Sequence, residues 1–213
     1  MKRLFILSSL LTILSAESEN VIVKITDKIP YTSVSDSGKE VKIERIQDID
    51  NRLTDDYTKT SRACPPFCIQ PNKIDPEIKN IAELEIIDFM ENKVSKNRGV
   101  IIDARLKSWF ELETIPSAIN IPFPIMQNAS KKKAELIFKI LGMKIEANGT
   151  WNFENAKDLV VFCNGVWCEQ TKHFMEGLLK HNYPKDKIFY YRSGFQGWKL
   201  LGLTTVVHKE IKK

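Results

Sequence analysis

From Pro76 onward, short β-branched runs alternate with stretches of helical periodicity, and that alternation leaves few architectures open. Gly99-Val100-Ile101-Ile102-Asp103-Ala104-Arg105 reads as a buried strand leaving into a loop, and Asp158-Leu159-Val160-Val161-Phe162-Cys163 and Ile188-Phe189-Tyr190-Tyr191-Arg192 as further strands. Between them, Ile78, Ile81, Leu84, Ile87 and Met90 fall at helical spacing, in a helix ending near Asn92. Lys131 to Leu141 is amphipathic and stopped by Gly142, and a further helix runs from about Thr171 to His181, ended by Tyr183-Pro184. Gly194 to Gly202 reads as a turn and a last short helix. Parallel strands need a crossover, and an intervening helix supplies it. The predicted class is therefore α/β, with a mostly parallel central sheet flanked by helices.

The residues before Pro76 follow another pattern. Val21-Ile22-Val23-Lys24-Ile25-Thr26 and Lys39-Glu40-Val41-Lys42-Ile43-Glu44 read as strands, with a turn at Asp36-Ser37-Gly38. Such a hairpin is too short for its own core and should lean on a larger body. Thr58 to Pro71 is a loop rich in Pro and Cys. The expected organisation is an export signal at 1–18, a small β-rich N-terminal extension at 19–75, the α/β domain at 76–207 and a basic tail at 208–213. Met1-Lys2-Arg3 supplies a positive start, Leu4 to Leu14 an apolar stretch, and Ser15-Ala16-Glu17-Ser18 small residues for cleavage. A periplasmic or otherwise exported location follows as an expectation, and with it an oxidising environment for the cysteines.

No apolar run reaches the ~18–20 residues of a membrane span, so no stable span is expected. The net charge of +5 comes from 32 basic and 27 acidic side chains. It is scattered: the longest basic run is Lys131-Lys132-Lys133, with Glu135 close behind. A nucleic-acid binder would show a basic stripe interleaved with aromatics. Nucleic acid is not an expected partner.

In open α/β sheets the chemistry sits where a strand ends and a helix begins. Cys163 lies at such an end, and Asn164, Gly165, Val166, Trp167, Cys168, Glu169 and Gln170 carry the loop into a helix at Thr171. Curled backbone amides and a helix N-terminus both favour a thiolate or a bound anion. On position alone, a small buried hydrophobe is an equally good account of Cys163.

Three segments add a family resemblance. Cys163-Asn164-Gly165 after Val160-Val161-Phe162 resembles the active-site loop of the rhodanese-like sulfurtransferases. Ile102-Asp103-Ala104-Arg105, Phe110-Glu111 and Ile115-Pro116-Ser117-Ala118-Ile119-Asn120-Ile121-Pro122 resemble the family's first motif. Tyr191-Arg192-Ser193-Gly194-Phe195-Gln196-Gly197-Trp198, with Gly202, resembles its closing motif. The resemblance implies the rhodanese-like fold and a persulfide mechanism. Cys163 would take a sulfane sulfur from a small donor such as thiosulfate and pass it to a thiol, a protein or another nucleophilic acceptor. The amides of Asn164 to Gln170 would cradle it, Asp103 and Arg105 would support the loop, and no metal or organic cofactor would be needed. This chain departs from the pattern in three places. Its loop carries no cation before Lys172, is about two residues longer, and Glu113-Thr114 stand where the family has Gly-His. The segment from Arg62 to Pro71, with its Cys64-Pro65-Pro66-Phe67-Cys68 core, resembles one in an exported bacterial subgroup.

Four cysteines fall in two close pairs, Cys64/Cys68 and Cys163/Cys168. Spacings of four and five residues with no nearby His argue against zinc. A structural disulfide suits Cys64 and Cys68, while Cys168 is placed to resolve a persulfide or sulfenate on Cys163. Pairing between the two segments stays open. The alternative to a transferase is a noncatalytic binding module or a thiol redox protein of the cell envelope. His173, His181 and His208 read as surface or helix-end residues, Trp167 as a pocket wall or core cap, and Asn148-Gly149-Thr150 as a turn.

Overall fold

The computed structural model describes residues 21–208; the predicted export signal and the tail beyond His208 lie outside them. In chain order the elements are β1 (Tyr31–Asp36), β2 (Lys39–Glu44), β3 (Lys79–Asn80), α1 (Glu83–Phe89), β4 (Gly99–Asp103), α2 (Lys107–Leu112) and β5 (Ala118–Asn120). There follow α3 (Phe123–Gln127), α4 (Lys131–Ile140), β6 (Lys144–Ile145), β7 (Trp151–Asn152), β8 (Asp158–Phe162), α5 (Gln170–Lys180), β9 (Ile188–Tyr190) and α6 (Gly194–Leu200).

The central sheet has five strands in the order β3-β9-β8-β4-β5, and all its pairs are parallel. β8 lies inside it, in register with β4 from Gly99↔Asp158 to Asp103↔Phe162. Alternate strand residues point to opposite faces. Ile102, Leu159, Val161 and Ile188 pack with Met126, Phe138 and Phe174 from α3, α4 and α5. Ile101, Val160 and Phe162 face Ile86 of α1 and Phe195 and Trp198 of α6. Both faces are covered, as an all-parallel sheet requires. The predicted helices stand nearly where their periodicity puts them. α1 is shorter than expected and continues as one wider turn over Met90–Val94. Asn148-Gly149-Thr150 turns the chain between β6 and β7.

The N-terminal hairpin is corrected. Residues 21–26 are not a strand; β2 pairs with Tyr31–Asp36, register Asp36↔Lys39 to Tyr31↔Glu44. The turn explains this. Ser37 and Gly38 both have positive φ, 50° and 81°, which is the two-residue geometry that matches strand twist. It forces the partner strand to end at Asp36. Residues 22 and 23 are tied instead by the Gln47 side chain, which accepts from both amides and donates to the Val23 carbonyl.

The hairpin leans on the sheet as expected. Ile43 is fully buried in the same cluster as Ile86, Phe162 and Trp198. Burying such a side chain is worth roughly 1.5–3 kcal/mol. The C-terminal strap closes over it, with Thr204 donating from its amide to the Glu44 carbonyl at 3.0 Å and Ile46 donating to Gly202 at 2.8 Å. No described helix is long and apolar enough to cross a membrane.

Candidate functional site

β8 ends at Phe162, and Cys163 is the first residue of the loop that enters α5, an eleven-residue helix starting at Gln170. The loop is held on two sides. Its carbonyls at Cys163 and Asn164 accept from Phe195 N and Gln196 N of α6, both at 2.8 Å. This docking is why Gly194 carries no side chain: its φ is +58°, and a Cβ there would stand 2.4 Å from the Cys163 carbonyl oxygen. Within the loop, Cys168 N donates to Gly165 O at 3.0 Å and folds the second cysteine back toward the first. Their Cα atoms are 6.4 Å apart and their sulfurs are joined in a disulfide. Both are buried, at 3% and 5% exposure. With its amide committed to Gly165, Cys168 contributes a sulfur to this site rather than the anion-cradling N–H expected of it.

Asp103 and Arg105 lie beside this loop, nine-tenths or more buried. Arg105 donates from Nε and Nη2 to both carboxylate oxygens of Asp103, and Thr114 Oγ1 adds a bond to Asp103 Oδ2 at 2.8 Å. Thr114, one of the two residues standing where the family has Gly-His, thus serves the carboxylate. Asn120 Nδ2 donates to the carbonyls of Asp103 and Arg105. Burial alone would lower the Arg105 pKa, but the Asp103 carboxylate and the Tyr57 hydroxyl hold it above its usual value.

The charge network continues into the extension. Arg105 Nη1 donates to Tyr57 Oη at 3.0 Å, and Tyr57 Oη donates to Asn164 Oδ1 at 2.8 Å. Burial raises the Tyr57 phenol well above its ordinary range, so it stays protonated. Asn164 Nδ2 in turn faces Cys168 Sγ at 4.0 Å. Tyr57 sits in a short 3-10 turn whose start is capped by the Asp55 carboxylate. Sequence reasoning missed Tyr57, because nothing local marks a lone tyrosine after two aspartates as belonging to a loop 107 residues away.

Trp167 is half-buried. Its Nε1 donates to Gln196 Oε1 at 2.8 Å, and Gln196 Nε2 donates to the Tyr57 carbonyl at 2.7 Å. The Pro- and Cys-rich segment lies against this ring. Phe67 meets Trp167 edge-on at 5.7 Å, the Arg62 guanidinium stacks over it at 3.9 Å, and Gln70 N donates to Val166 O at 2.8 Å. Cys64 and Cys68 are bonded to each other, with Cα atoms 4.7 Å apart. The extension therefore sets a cation against the Trp167 side of the loop. Arg62 Nε has no hydrogen-bond partner, and neither does the buried Thr171 hydroxyl in the first turn of α5.

A cavity of about 620 Å³ opens beside Trp167, lined by Arg52, Lys59, Tyr57, Val166 and Gln196 among others. A second, about 540 Å³, lies beyond Tyr57 over Arg105, Trp109 and Glu113. Glu169 and His173 face each other at 3.7 Å on the outer side of α5, and His181 contacts the Ala129 carbonyl at its end. His208 stacks on Phe110. Among the described residues no cluster of His, Cys, Asp or Glu could hold a metal ion.

The family model for the rhodanese-like domain matches residues 87–201. Similar solved structures include a thiosulfate sulfurtransferase from Pseudomonas aeruginosa, 20% identical, with a TM-score of 0.43. That match covers 62% of this chain and 21% of the other, so the chain spans about a fifth of that protein's length. A 3-mercaptopyruvate sulfotransferase from Escherichia coli is 18% identical at TM-score 0.39, covering 57% of this chain and 43% of that one. An As-Sb reductase from Leishmania major is 19% identical at TM-score 0.39, covering 57% and 78%. No curated protein matches the sequence.

Proposed function

The chain belongs to the rhodanese-like domain family, and from that premise we propose that it is a sulfurtransferase or persulfide carrier working through Cys163. The observation that carries the proposal is the place of Cys163, at the C-terminal end of an inner parallel strand where the chain turns into the N-terminus of α5. Reduction of its disulfide to Cys168 would free Cys163 at the head of the loop that leads into the N-terminus of α5, a setting that would favour the thiolate. The thiolate attacks the sulfane sulfur of a donor. With thiosulfate, a Cys163 Sγ–S bond forms, the S–S bond of the donor breaks, and sulfite leaves with the electron pair. A thiol or other nucleophile, free or on a protein, then takes the sulfur.

The Arg62 guanidinium stacked on Trp167 supports an anionic donor. Arg52 and Lys59 line the adjoining cavity and would draw it in. The test is mass spectrometry of the reduced protein before and after thiosulfate. One added sulfur on Cys163 is expected. Cys163→Ala should load none while keeping its circular dichroism. Loading retained in that variant but lost in Cys168→Ala would move the nucleophile to Cys168.

The bond between Cys163 and Cys168 favours a second reading, a thiol redox protein. Disulfide–dithiol turnover with no sulfur loading from any donor would select it. Export is part of the proposal: fractionation should find a shortened chain lacking Lys2 and Arg3 outside the cytoplasm, and a full-length cytosolic product would overturn it.

A further inference from the structure

We infer that Cys168 discharges the Cys163 persulfide as hydrogen sulfide, closing the disulfide between the two residues. The protein would then reduce sulfane sulfur at the expense of an external dithiol. This rests on the persulfide reading above and asks what becomes of the sulfur.

Geometry sets the second thiol within reach. The turn made by Cys168 N on Gly165 O brings the two sulfurs to bonding contact without unwinding β8 or α5. Both are buried, so a persulfide on Cys163 has Cys168 as an adjacent nucleophile before any outside thiol arrives. The step balances. Cys168 thiolate attacks Cys163 Sγ, the Cys163–Cys168 bond forms, and the bond from Cys163 Sγ to the outer sulfur breaks. The outer sulfur leaves as hydrosulfide with the electron pair. Two cysteine sulfurs are oxidised by one electron each, and the sulfane sulfur is reduced by two. An external dithiol then reopens the disulfide by exchange, becoming a disulfide itself.

The attacking thiol must be a thiolate, and the buried network provides for that. Arg105 only donates, so the Tyr57 oxygen accepts from it and must spend its one proton on Asn164 Oδ1. That fixes the Asn164 carboxamide, with its NH₂ group toward Cys168 Sγ. The Asp103-Arg105 pair thereby orients, through Tyr57 and Asn164, an N–H donor that faces the sulfur of Cys168. Tyr57 and Asn164 are positioning residues for this step. They would stabilise the Cys168 thiolate as attacker, and again as leaving group when the dithiol reopens the bond.

The experiment is a single turnover of reduced full-length protein with one equivalent of thiosulfate and no free thiol, following sulfite, sulfide and the cysteine peptides. Expected are about one equivalent each of sulfite and sulfide, with a Cys163–Cys168 linkage formed, as the balanced step requires. Cys168→Ser should release sulfite but no sulfide and keep the added sulfur on Cys163. Tyr57→Phe and Asn164→Ala are followed from the point at which the Cys163 persulfide has formed, so that any change in loading is read separately. Each should release sulfide about tenfold more slowly at neutral pH, with the pH profile moved up, as loss of a hydrogen bond to a charged group implies. A wild type that keeps its persulfide with Cys168 free overturns this inference and leaves the transferase reading standing. So does linkage of Cys163 to Cys64 or Cys68. Failure of both the wild type and Cys168→Ser to take any sulfur from the donor, with no sulfite released, overturns the transferase reading itself.

Discussion

Asp103 and Arg105 show how much one buried charge depends on its neighbour. Their side chains are 0% and 1% exposed, and the guanidinium reaches its carboxylate with three donor contacts. Removing one partner of a buried pair strands the other, at a cost of about 3–5 kcal/mol. Asp103→Ala should lose stability in that range by urea denaturation, and a loss under about 1 kcal/mol would show that Thr114 and water compensate. Lys199 is a second case, donating to both Asp55 and Glu113. Burial alone would raise the Asp55 carboxyl, but its bonds from Lys199 and the Tyr57 amide hold it below its usual value. A depressed acid contributes stability above its unfolded pKa of about 3.9 and loses it as pH falls through the lower folded value. Lys199→Met should therefore flatten the acid limb of the stability–pH curve, and an unchanged limb would sink the assignment. Cys163, Asp103 and Arg105 were legible because they stand in runs of recognisable order. Tyr57 was not, since its partners Arg105 and Asn164 lie 48 and 107 residues away.

At the scale of elements, α3 and α5 meet over a glycine. A Cβ on Gly177 would stand 2.4 Å from the Met126 carbonyl oxygen and 2.6 Å from its carbon, both backbone atoms that cannot swing aside. Helix propensity favours Ala over Gly by about 1 kcal/mol, so a gain would be expected on an open helix. Here the clash should win. Gly177→Ala is expected to cost about 1–3 kcal/mol in thermal or urea unfolding, and a stabilised variant would mean that the helices part freely. The strands and helices after Pro76 could be read because one face of each is apolar and its period declares it. Val21–Thr26 misled for a physical reason: β-branched composition marks extended backbone, while the partner of β2 is set by the turn at Ser37-Gly38. Composition says what a segment tolerates, and the turn says where it goes.

For the whole molecule, the extension and the C-terminal strap are parts of one sheet face. Val34, Ile43 and Tyr57 share a cluster with Ile101, Phe162, Phe195, Trp198 and Leu203. A chain beginning at Pro76 would expose that face, and it should lose cooperative unfolding and bind a hydrophobic dye. Sharp two-state melting of the truncated chain would show the extension to be dispensable. That the hairpin leans on the sheet followed from its length, but its closure by the C-terminal strap was not legible, because the contact between Glu44 and Thr204 spans 160 residues.

That closure also sets a timetable. Thr114 and Val206 exchange two hydrogen bonds at 2.9 Å, and Arg45 bridges Leu203, so residues 203–206 complete a wall begun near residue 34. Contacts of such sequence span form late, after the loop-closure entropy of nearly the whole chain has been met. This face of the sheet therefore stays open until residues 203–206 have docked. A chain so wired is held shut by four residues, and whatever delays their docking leaves that apolar face within reach of other chains.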